Sequence, residues 1–352
     1  MKTPYLEIDL SKVHSNAKKL IAMFGARGVE ITGVTKSVLG EPRIAHSLVS
    51  AGVSSLGDSR IENIIRMKEA GVQARFTLIR TPSAREARTV VTYADVSFNT
   101  ELSVIAELSN SAIKQGQIHD IVLMVEMGDL REGILRQDLG KTIEEVLQMK
   151  GVRIIGLGTN LACFNGVKPT RHNMDHFSRL AETYEREYGI KFQVISGGNS
   201  ANFDWVMGKD NKGRVNNVRL GEAIFLGRET LSRKHIDGLH LDAITLVAEI
   251  IESKVKPSRP EGETGQDAFG NSPTFEDKGE MLRSIVELGK QDVHVEGLLP
   301  MTDVDIVGSS SDHIILDATR APLHVGDQIR FNLDYAALLS SMTSPFVGSA
   351  FI

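Results

Sequence analysis

A single lysine follows a short apolar segment near the start of the sequence. Residues 31–35 (ITGVT) predict a short buried strand, and Lys36 comes directly after it. A lysine is almost never fully buried without a partner, so its position at the end of such a strand needs a reason. One reason is chemical, because a lysine amine can form a Schiff base with a carbonyl cofactor. A solvated lysine at the exit of the strand is the alternative for this residue taken alone.

Two glycine-containing segments later in the chain could bind a phosphate group. Residues 196–201 (SGGNSA) follow the apolar run 192–195, and residues 218–223 (VRLGEA) lie at the end of another run. Small residues there let backbone N–H groups and the start of a helix approach a phosphate. A simple strand-to-helix turn explains either segment alone, but two in succession favour a phosphate site. Arg219, in the second segment, could serve a ligand or form an ordinary ion pair.

Charged and amide side chains follow two further apolar runs. Residues 125–133 (VEMGDLREG) come after the strongly apolar segment 121–124, and residues 158–160 (GTN) end the next run. If these runs are parallel strands of a barrel, their ends lie on the same side as the end of the Lys36 strand. A solvated loop is the alternative for the charged segment.

The composition is that of an ordinary soluble globular protein. The 352 residues are 41% hydrophobic and 24% charged, with a net charge of −5 at pH 7. A mild acidic excess gives no support for nucleic-acid or membrane binding, and residues 1–9 lack the apolar core of a signal peptide. Cys163 is the only cysteine, which excludes disulfide frameworks and cysteine-based zinc sites. We therefore expect a cytoplasmic protein with no metal site and no nucleic-acid or membrane partner.

Short β-type runs alternate with helical patterns over the first two thirds of the chain. Such alternation implies parallel pairing through right-handed crossovers, and about eight units match a closed barrel better than an open sheet. We therefore predict an α/β protein in which residues 1–234 form a (β/α)8 TIM-type barrel. The runs that predict barrel strands are 31–35, 53–57, 75–79, 94–98, 120–126, 152–158, 191–197 and 215–220.

The pattern changes near residue 235. Residues 244–251, 313–317 and 328–333 predict strands, and the turns between them contain proline and glycine. We therefore predict that residues 235–352 form a second, mostly β domain. Its polar segment 257–280 is expected to be a long loop, a feature that is often functional.

Taken together, these segments resemble the alanine racemase family, the fold-type III pyridoxal phosphate enzymes. The resemblance covers essentially the whole chain. It is carried by residues 6–10 (LEIDL), by Lys36 after residues 33–35 (GVT), and by residues 199–201 and 218–224. Within the family the sequence is most similar to the ornithine and lysine racemase branch, in residues 57–63, 129–133, 158–161, 267–271 and 310–313. The resemblance implies a pyridoxal 5′-phosphate cofactor and an amino-acid substrate.

The family pattern implies roles for the residues that bind the cofactor. Lys36 would hold the cofactor covalently and move a proton on one face of the substrate Cα. Asn199 and Ser200, together with the backbone N–H groups of Gly221 and Glu222, would bind the phosphate.

Three further residues are implied to contact the cofactor ring or the substrate. Arg219 would face the pyridine nitrogen, and because an arginine cannot accept a proton, that nitrogen would stay unprotonated. Arg131 would lie near the phenolic oxygen of the cofactor and the substrate carboxylate. Asn160 occupies the position at which alanine racemases usually stack a histidine against the ring.

The resemblance leaves the second proton carrier open. Alanine racemases use a tyrosine from the second domain of a partner subunit, and the matching residue here is Phe269, which cannot titrate. Asp267, Asp312 and His313 are the candidates, and a histidine has a suitable ordinary pKa. A polar residue beside a strand is the alternative for His313. A homodimer with shared active sites is implied.

The leading functional hypothesis is racemisation of a basic amino acid, ornithine or lysine. Acidic residues in the second domain could pair with the substrate's cationic side chain; they are Asp267, Asp292, Asp303, Asp305 and Asp312. An alanine racemase or a racemase of broad specificity is one alternative. A non-catalytic pyridoxal phosphate carrier is another, although such proteins resemble the barrel alone.

Overall fold

The structure is a computed structural model that describes residues 2–272 and 274–352. The chain divides into two compact units. The barrel unit comprises Leu10–Leu241, and the second unit comprises the residues before Leu10 together with Asp242–Ile352. Across the described residues, helices that combine the length and the apolar character needed to cross a membrane are absent.

The barrel unit is built on eight parallel strands, counted over the described residues, that close on themselves. The last of these strands pairs with the first, from Glu30↔Asn217 to Gly33↔Leu220, and this pairing closes the barrel. The predicted (β/α)8 TIM-type fold is therefore confirmed. After β1 (Tyr5–Ile8), which belongs to the second unit, the barrel strands are β2 (Glu30–Val34), β3 (Ser55–Asp58), β4 (Arg75–Leu78), β5 (Val96–Asn99), β6 (His119–Met124), β7 (Val152–Gly158), β8 (Val194–Ser196) and β9 (Asn217–Leu220).

The helices of the barrel unit pack their apolar faces inward. In the first helix, Val13, Ala17, Leu20 and Phe24 are buried at intervals of three and four residues, which is the spacing of one helix face. The helices are α1 (Leu10–Gly25), α2 (Pro42–Ser50), α3 (Ile61–Glu69), α4 (Ala87–Tyr93), α5 (Leu102–Lys114), α6 (Leu139–Leu147), α7 (Arg171–Tyr188), α8 (Phe203–Met207) and α9 (Glu222–Leu226).

The barrel strands are buried along most of their length. Every residue of β6 is buried, as expected for parallel strands covered on both faces. Apolar side chains from β5, β6 and β7 form one cluster, which includes Phe98, Met124 and Ile155. This packed core fixes the carboxyl ends of the strands, which together we call the barrel mouth, where catalytic groups of such folds collect.

The second unit is mostly β, as predicted. Its strands are β10 (Ile244–Pro257), β11 (Glu280–Val286), β12 (Leu298–Pro300), β13 (Asp305–Ser309), β14 (Ile314–Asp317), β15 (Gln328–Leu333) and β16 (Gly348–Phe351), with one helix, α10 (Tyr335–Thr343), in its described part. They follow the order β12-β15-β10-β11-β14-β13, and β1 pairs with both β10 and β16. The predicted loop lies between β10 and β11; its residue Pro273 is outside the described residues.

The expected barrel limits, residues 1–234, differ from the observed unit at both ends. Residues 5–8 belong to the second unit because β1 pairs antiparallel with β10 and parallel with β16. Residues 235–241 belong to the barrel unit, where the Asn16 side chain binds the backbone of His240. The partners of a four-residue strand cannot be predicted from its own sequence. For that reason β1 was assigned to the barrel domain that follows it in the chain.

Strand β10 is longer than the predicted run 244–251. It continues to Pro257 because it pairs with β11 from Ile250↔Val286 to Pro257↔Glu280. The sequence pattern did not predict β11, and residues 256–257 were therefore expected to lie in a turn. Residues 251–257 are exposed or half-buried, so this part of the strand lacks the apolar pattern by which a buried strand is predicted.

Candidate active site

Lys36 lies directly beyond β2 in a tight turn at the barrel mouth. The N–H of the preceding residue, Thr35, donates to the carbonyl of Gly57 on the neighbouring strand at 2.9 Å. Residues Lys36–Val38 then form a single turn of 3-10 helix. The lysine side chain is partly buried.

The charged surroundings of Lys36 alter its proton affinity. Burial lowers the pKa of the Lys36 amine, Cys163 acts to raise it, Arg131 and Arg219 lower it, and Asp58 raises it. The net effect is a pKa below the ordinary value for lysine. Such a lysine is more often in the neutral form that attacks a carbonyl group.

Arg219 projects from β9 into the buried part of the same site and is 6% exposed. Its Nη1 donates to Ser196 Oγ at 2.6 Å, and its Nη2 donates to the carbonyl of Thr159 at 2.8 Å and to Asn160 Oδ1 at 3.2 Å. The guanidinium lies 5.1 Å from the ring centre of Phe98. Burial lowers the pKa of Arg219 to about 10, so the side chain is still a cation at neutral pH.

The two glycine-containing segments meet, as the sequence predicted for a phosphate site. Asn199 Oδ1 caps the 3-10 turn that begins at Ser200, and Ser200 Oγ accepts a hydrogen bond from the N–H of Ala223 at 3.2 Å. Gly221 lies against the end of β2, because a Cβ atom added to it would be 3.0 Å from the carbonyl oxygen of Val34. The segment after β9 therefore needs a glycine to approach the Lys36 strand.

Asn160 and Glu222 complete the residues that the sequence placed around the cofactor. Asn160 Oδ1 accepts from Asn199 Nδ2 at 2.9 Å as well as from Arg219, so it links the phosphate segment to the buried arginine. Glu222 is the first residue of α9, and its side chain pairs with Arg233. The backbone of Glu222, rather than its carboxylate, is therefore the part suited to an anion.

Arg131 follows β6 and lies beside two polar side chains. Its Nε and Nη2 donate to the Glu132 carboxylate, and its Nη1 donates to Cys163 Sγ at 2.6 Å. Asp129 fixes the opposite loop, because its carboxylate accepts the backbone N–H groups of three residues within 163–167. The arginine is thus held from two loops of the barrel mouth.

The candidate proton carriers Asp312 and His313 lie in the second unit, just before β14. His313 Nδ1 is 2.8 Å from Asp312 Oδ1, and Ser310 Oγ donates to the same carboxylate oxygen at 3.1 Å. Hydrogen bonds from His313 and Ser310 lower the pKa of Asp312. The carboxylate can therefore orient the imidazole.

Asp267 and Phe269 lie in the long loop of the second unit. The Asp267 carboxylate accepts the backbone N–H groups of Phe269 and Asn271 at 2.9 and 2.8 Å, which closes a turn. The Lys290 ammonium lies 4.2 Å from the ring centre of Phe269. Asp267 is therefore occupied in its own turn, and it belongs to a different unit from the residues gathered around Lys36.

The other aspartates proposed to recognise a cationic substrate also have partners. Asp303 and Asp305 bind Arg320 at 3.0 and 2.9 Å. Asp292 is 5% exposed and accepts the N–H of Gly289; burial raises its pKa. An ordinary structural role explains these three residues.

Comparison with known proteins places the chain in a family. Residues 8–229 match the model of the alanine racemase N-terminal domain. The chain belongs to the alanine racemase family. It is 39% identical to a lysine racemase of Thermotoga maritima, covering 99% of this chain and 98% of the relative. It is 36% identical to an ornithine racemase of Acetoanaerobium sticklandii, covering 98% of each.

The fold comparison agrees with this membership. The crystal structure of an alanine racemase from Streptomyces lavendulae superposes with a TM-score of 0.78, covering 100% of this chain and 97% of the other. The sequence identity over that match is 19%, so the likeness concerns the fold.

The cofactor of the alanine racemase family is pyridoxal 5′-phosphate, and the barrel unit of this member fits it. The donor set suits the group, with the Lys36 amine for the carbonyl and the Ser200 and Gly221 segments for the phosphate. Thr159 Oγ1 is buried and has no hydrogen-bond partner among the described residues. A polar ligand beside Arg219 would offer it one, because Arg219 already binds the Thr159 carbonyl.

Two residues near Lys36 were not selected from the sequence. Asp58 is the last residue of β3, just as Lys36 directly follows β2. The signal in the sequence that could have identified Asp58 is therefore an acidic residue at the end of an apolar strand. Cys163 was considered only as the single cysteine of the sequence, yet it lies against Arg131 and acts electrostatically on Lys36. Only the loop conformation set by Asp129 brings that thiol to the barrel mouth.

Proposed function

We propose that the protein is a pyridoxal phosphate-dependent racemase that interconverts the L and D forms of a basic amino acid, lysine or ornithine. The observation that carries the proposal is the grouping of Lys36 with Arg131 and Arg219 at the barrel mouth. A partly buried amine beside two cations suits both a carbonyl cofactor and a substrate carboxylate. The basic substrate is supported by the nearly full-length similarity to a lysine racemase and an ornithine racemase.

The cofactor, when bound, stabilises negative charge at the substrate Cα. Lys36 anchors it and carries the proton between its Nζ and one face of Cα. Because the pKa of Lys36 is lowered, chiefly by burial, the amine exchanges protons closer to neutral pH than an exposed lysine does. Arg131 binds the substrate carboxylate, and Glu132 keeps the guanidinium oriented by pairing with it.

Arg219 controls the electronic state of the cofactor ring. A guanidinium donates hydrogen bonds and accepts none, so Arg219 would keep the pyridine nitrogen of a bound cofactor unprotonated, and the ring would then withdraw less charge from Cα. Arg219 would in this way favour reprotonation at Cα over transamination. Asn160 accepts hydrogen bonds from both Arg219 and Asn199 and so fixes the arginine relative to the phosphate segment. Ser200, Gly221 and the backbone of Glu222 bind the phosphate.

The proton on the other face of Cα needs a second carrier. We assign it to the Asp312–His313 pair of a partner subunit, with Asp267 as the alternative, in a homodimer with shared active sites. The support is chemical, since Phe269 cannot titrate whereas an imidazole beside a carboxylate can. A cytoplasmic location is part of the same proposal, and the single cysteine agrees with a reducing compartment.

The test is a racemisation assay with L-lysine, L-ornithine and L-alanine on the purified protein. We expect kcat/KM for the better diamino acid to exceed that for alanine by at least about a hundredfold, because alanine cannot supply the side-chain ammonium that a site specific for a diamino acid would bind. Lys36→Ala is the control and should abolish turnover of every substrate.

Two other outcomes would contradict the proposal in different ways. A preference for alanine would make the protein an alanine racemase and leave the role of Lys36 intact. Cofactor binding without racemisation of any amino acid would support the non-catalytic carrier instead.

A further inference from the structure

A buried carboxylate lies next to the lysine turn and has three hydrogen-bond donors. Asp58 at the end of β3 is 0% exposed. Its Oδ2 accepts from Thr35 Oγ1 at 2.7 Å, and its Oδ1 accepts from the N–H of Arg60 and from Asn63 Nδ2, both at 3.0 Å. The backbone N–H and the amide NH₂ can only donate, so this environment is arranged for an acceptor.

The same residues fix the backbone on both sides of Lys36. Before the lysine, Thr35 binds β3 twice, through its N–H to the Gly57 carbonyl and through its hydroxyl to Asp58. After the lysine, Gly40 packs on α3, because a Cβ atom added to it would be 2.8 Å from Asn63 Cβ. The Lys36 turn is therefore fixed on one side by Asp58, through Thr35, and on the other side by Asn63, which also binds Asp58.

We propose that Asp58 is a positioning residue for Lys36: its buried carboxylate holds the lysine turn through Thr35 and balances the positive charge of the amine while Lys36 carries the proton. The proposal rests on the proposed racemase function for the destination of that proton, the substrate Cα. Asp58 itself touches neither substrate nor cofactor in this scheme.

The charges around Lys36 explain why a counter-charge is needed. When a proton moves from Cα to Lys36 Nζ, the amine becomes an ammonium in a site that already contains Arg131 and Arg219. Both cations disfavour that ammonium, whereas Asp58 and Cys163 favour it. Burial raises the pKa of Asp58, and the hydrogen bonds from Thr35, Arg60 and Asn63 oppose that rise. A protonated Lys36 further favours the ionised carboxylate.

The experiment measures the titration of Lys36 itself in the full chain freed of cofactor. The protein is labelled with acetic anhydride over a range of pH, and modification of Lys36 is quantified by mass spectrometry. We expect Asp58→Asn to lower the midpoint of Lys36 labelling by about one pH unit, the effect of removing one nearby opposite charge. Thr35→Ser, which changes the same turn but keeps the hydroxyl bonded to Asp58, should leave the midpoint within a few tenths of a unit of the parent.

An unchanged midpoint in folded Asp58→Asn overturns the proposal. An equal shift in Thr35→Ser also overturns it, because that variant keeps the Asp58 carboxylate and its hydrogen bond to position 35. If Asp58→Asn does not fold, Asp58→Ser removes the same charge and keeps a hydroxyl that can accept from Asn63 Nδ2; an unchanged midpoint there would again overturn the proposal. The labelling needs neither substrate nor turnover. Its result therefore stands separately from the racemase assay, whose failure alone would contradict the proposed function.

Discussion

Arg219 combines burial, a full positive charge and contact with an aromatic ring. It is 6% exposed and lies 5.1 Å from the Phe98 ring centre. Its partners are a hydroxyl, a carbonyl and an amide oxygen, all neutral. A buried cation with only neutral partners is costly unless a ligand compensates it. The residue therefore points to function more than to stability.

Replacing Arg219 should change which product forms. In Arg219→Glu a carboxyl group can share a proton with the pyridine nitrogen, so the cofactor withdraws more charge from Cα. We expect the ratio of transamination to racemisation to rise by about tenfold or more, equivalent to roughly 1.4 kcal/mol in relative barrier. Both products are measured from one substrate by chiral chromatography and by keto-acid detection.

Arg219→Gln is the matched variant, because it removes the guanidinium without adding an acid. Its partition ratio should stay closer to that of the parent than the ratio of Arg219→Glu does. An unchanged ratio in Arg219→Glu would show that the side chain does not face the ring nitrogen.

Among single residues, the sequence predicted those that follow or lie within recognisable strands. It missed those whose place in the site depends on contacts between loops. Lys36 and Arg219 come after or within short apolar runs, so their grouping followed from barrel topology. Cys163 reaches Arg131 only because Asp129 folds the loop around residues 163–167. That loop geometry depends on backbone hydrogen bonds, which side-chain patterns do not reveal.

At the scale of elements, the amino end of β6 carries a buried histidine. His119 is 3% exposed, and its Nε2 lies 2.9 Å from Ser97 Oγ on β5. Burial lowers the pKa of His119 to about 4. Its position, at the end of the strand opposite the barrel mouth, is typical of residues that stabilise such barrels.

His119 should make the stability of the protein depend on pH. In the unfolded chain the histidine takes up a proton below its ordinary pKa of 6.5, whereas in the folded chain it stays neutral down to about pH 4. The unfolded state therefore binds more protons as the pH falls through this window, and stability is lost. Lowering the pH from about 7.5 to about 5 should cost about 2 kcal/mol through this group.

In His119→Gln this loss should be largely absent, so the midpoint of urea unfolding should fall less between the two pH values than in the parent protein. The exposed His46 provides the matched control, since His46→Gln should keep the pH dependence of the parent. Equal losses in the parent and in His119→Gln would contradict the assignment.

The barrel elements were more predictable than those of the second unit. Barrel strands are buried on both faces and separated by helices, so each appears as a separate apolar run. In the second unit, β11, β12, β13 and β16 are short or partly exposed. Such strands are defined by partners far away in sequence, and for that reason all four of them and the end of β10 were missed.

At the scale of the whole molecule, the candidate catalytic residues are divided between two units. Lys36 and its neighbours belong to the barrel unit, and Asp312 and His313 belong to the second unit. If a partner subunit supplies the second proton carrier, two inactive variants that are each altered in a different unit should recover racemase activity when they form mixed dimers.

Mixed dimers test this sharing of residues. Lys36→Ala and His313→Gln should each lose racemase activity by at least about a hundredfold. After the two are dissociated together and reassembled, about a quarter of the parent activity should return, because half of the dimers are mixed and each of these has one undamaged site. Lys36→Ala mixed with itself is the control. No recovery in verified mixed dimers would exclude a site shared in this way.

The pairing of β1 has a consequence for biosynthesis. Tyr5, Leu6 and Ile8 are buried in the finished structure, but β1 pairs with residues 244–247 and 348–351. About 340 residues separate β1 from β16, so a ribosome needs roughly 20 to 70 s to deliver that last partner. The barrel unit is continuous in sequence and can fold during this interval. Until residues 244–247 have been synthesised the β1 segment has no strand partner, and its pairing stays incomplete until β16 follows. We therefore expect this apolar segment to be a site at which a chaperone binds the nascent chain.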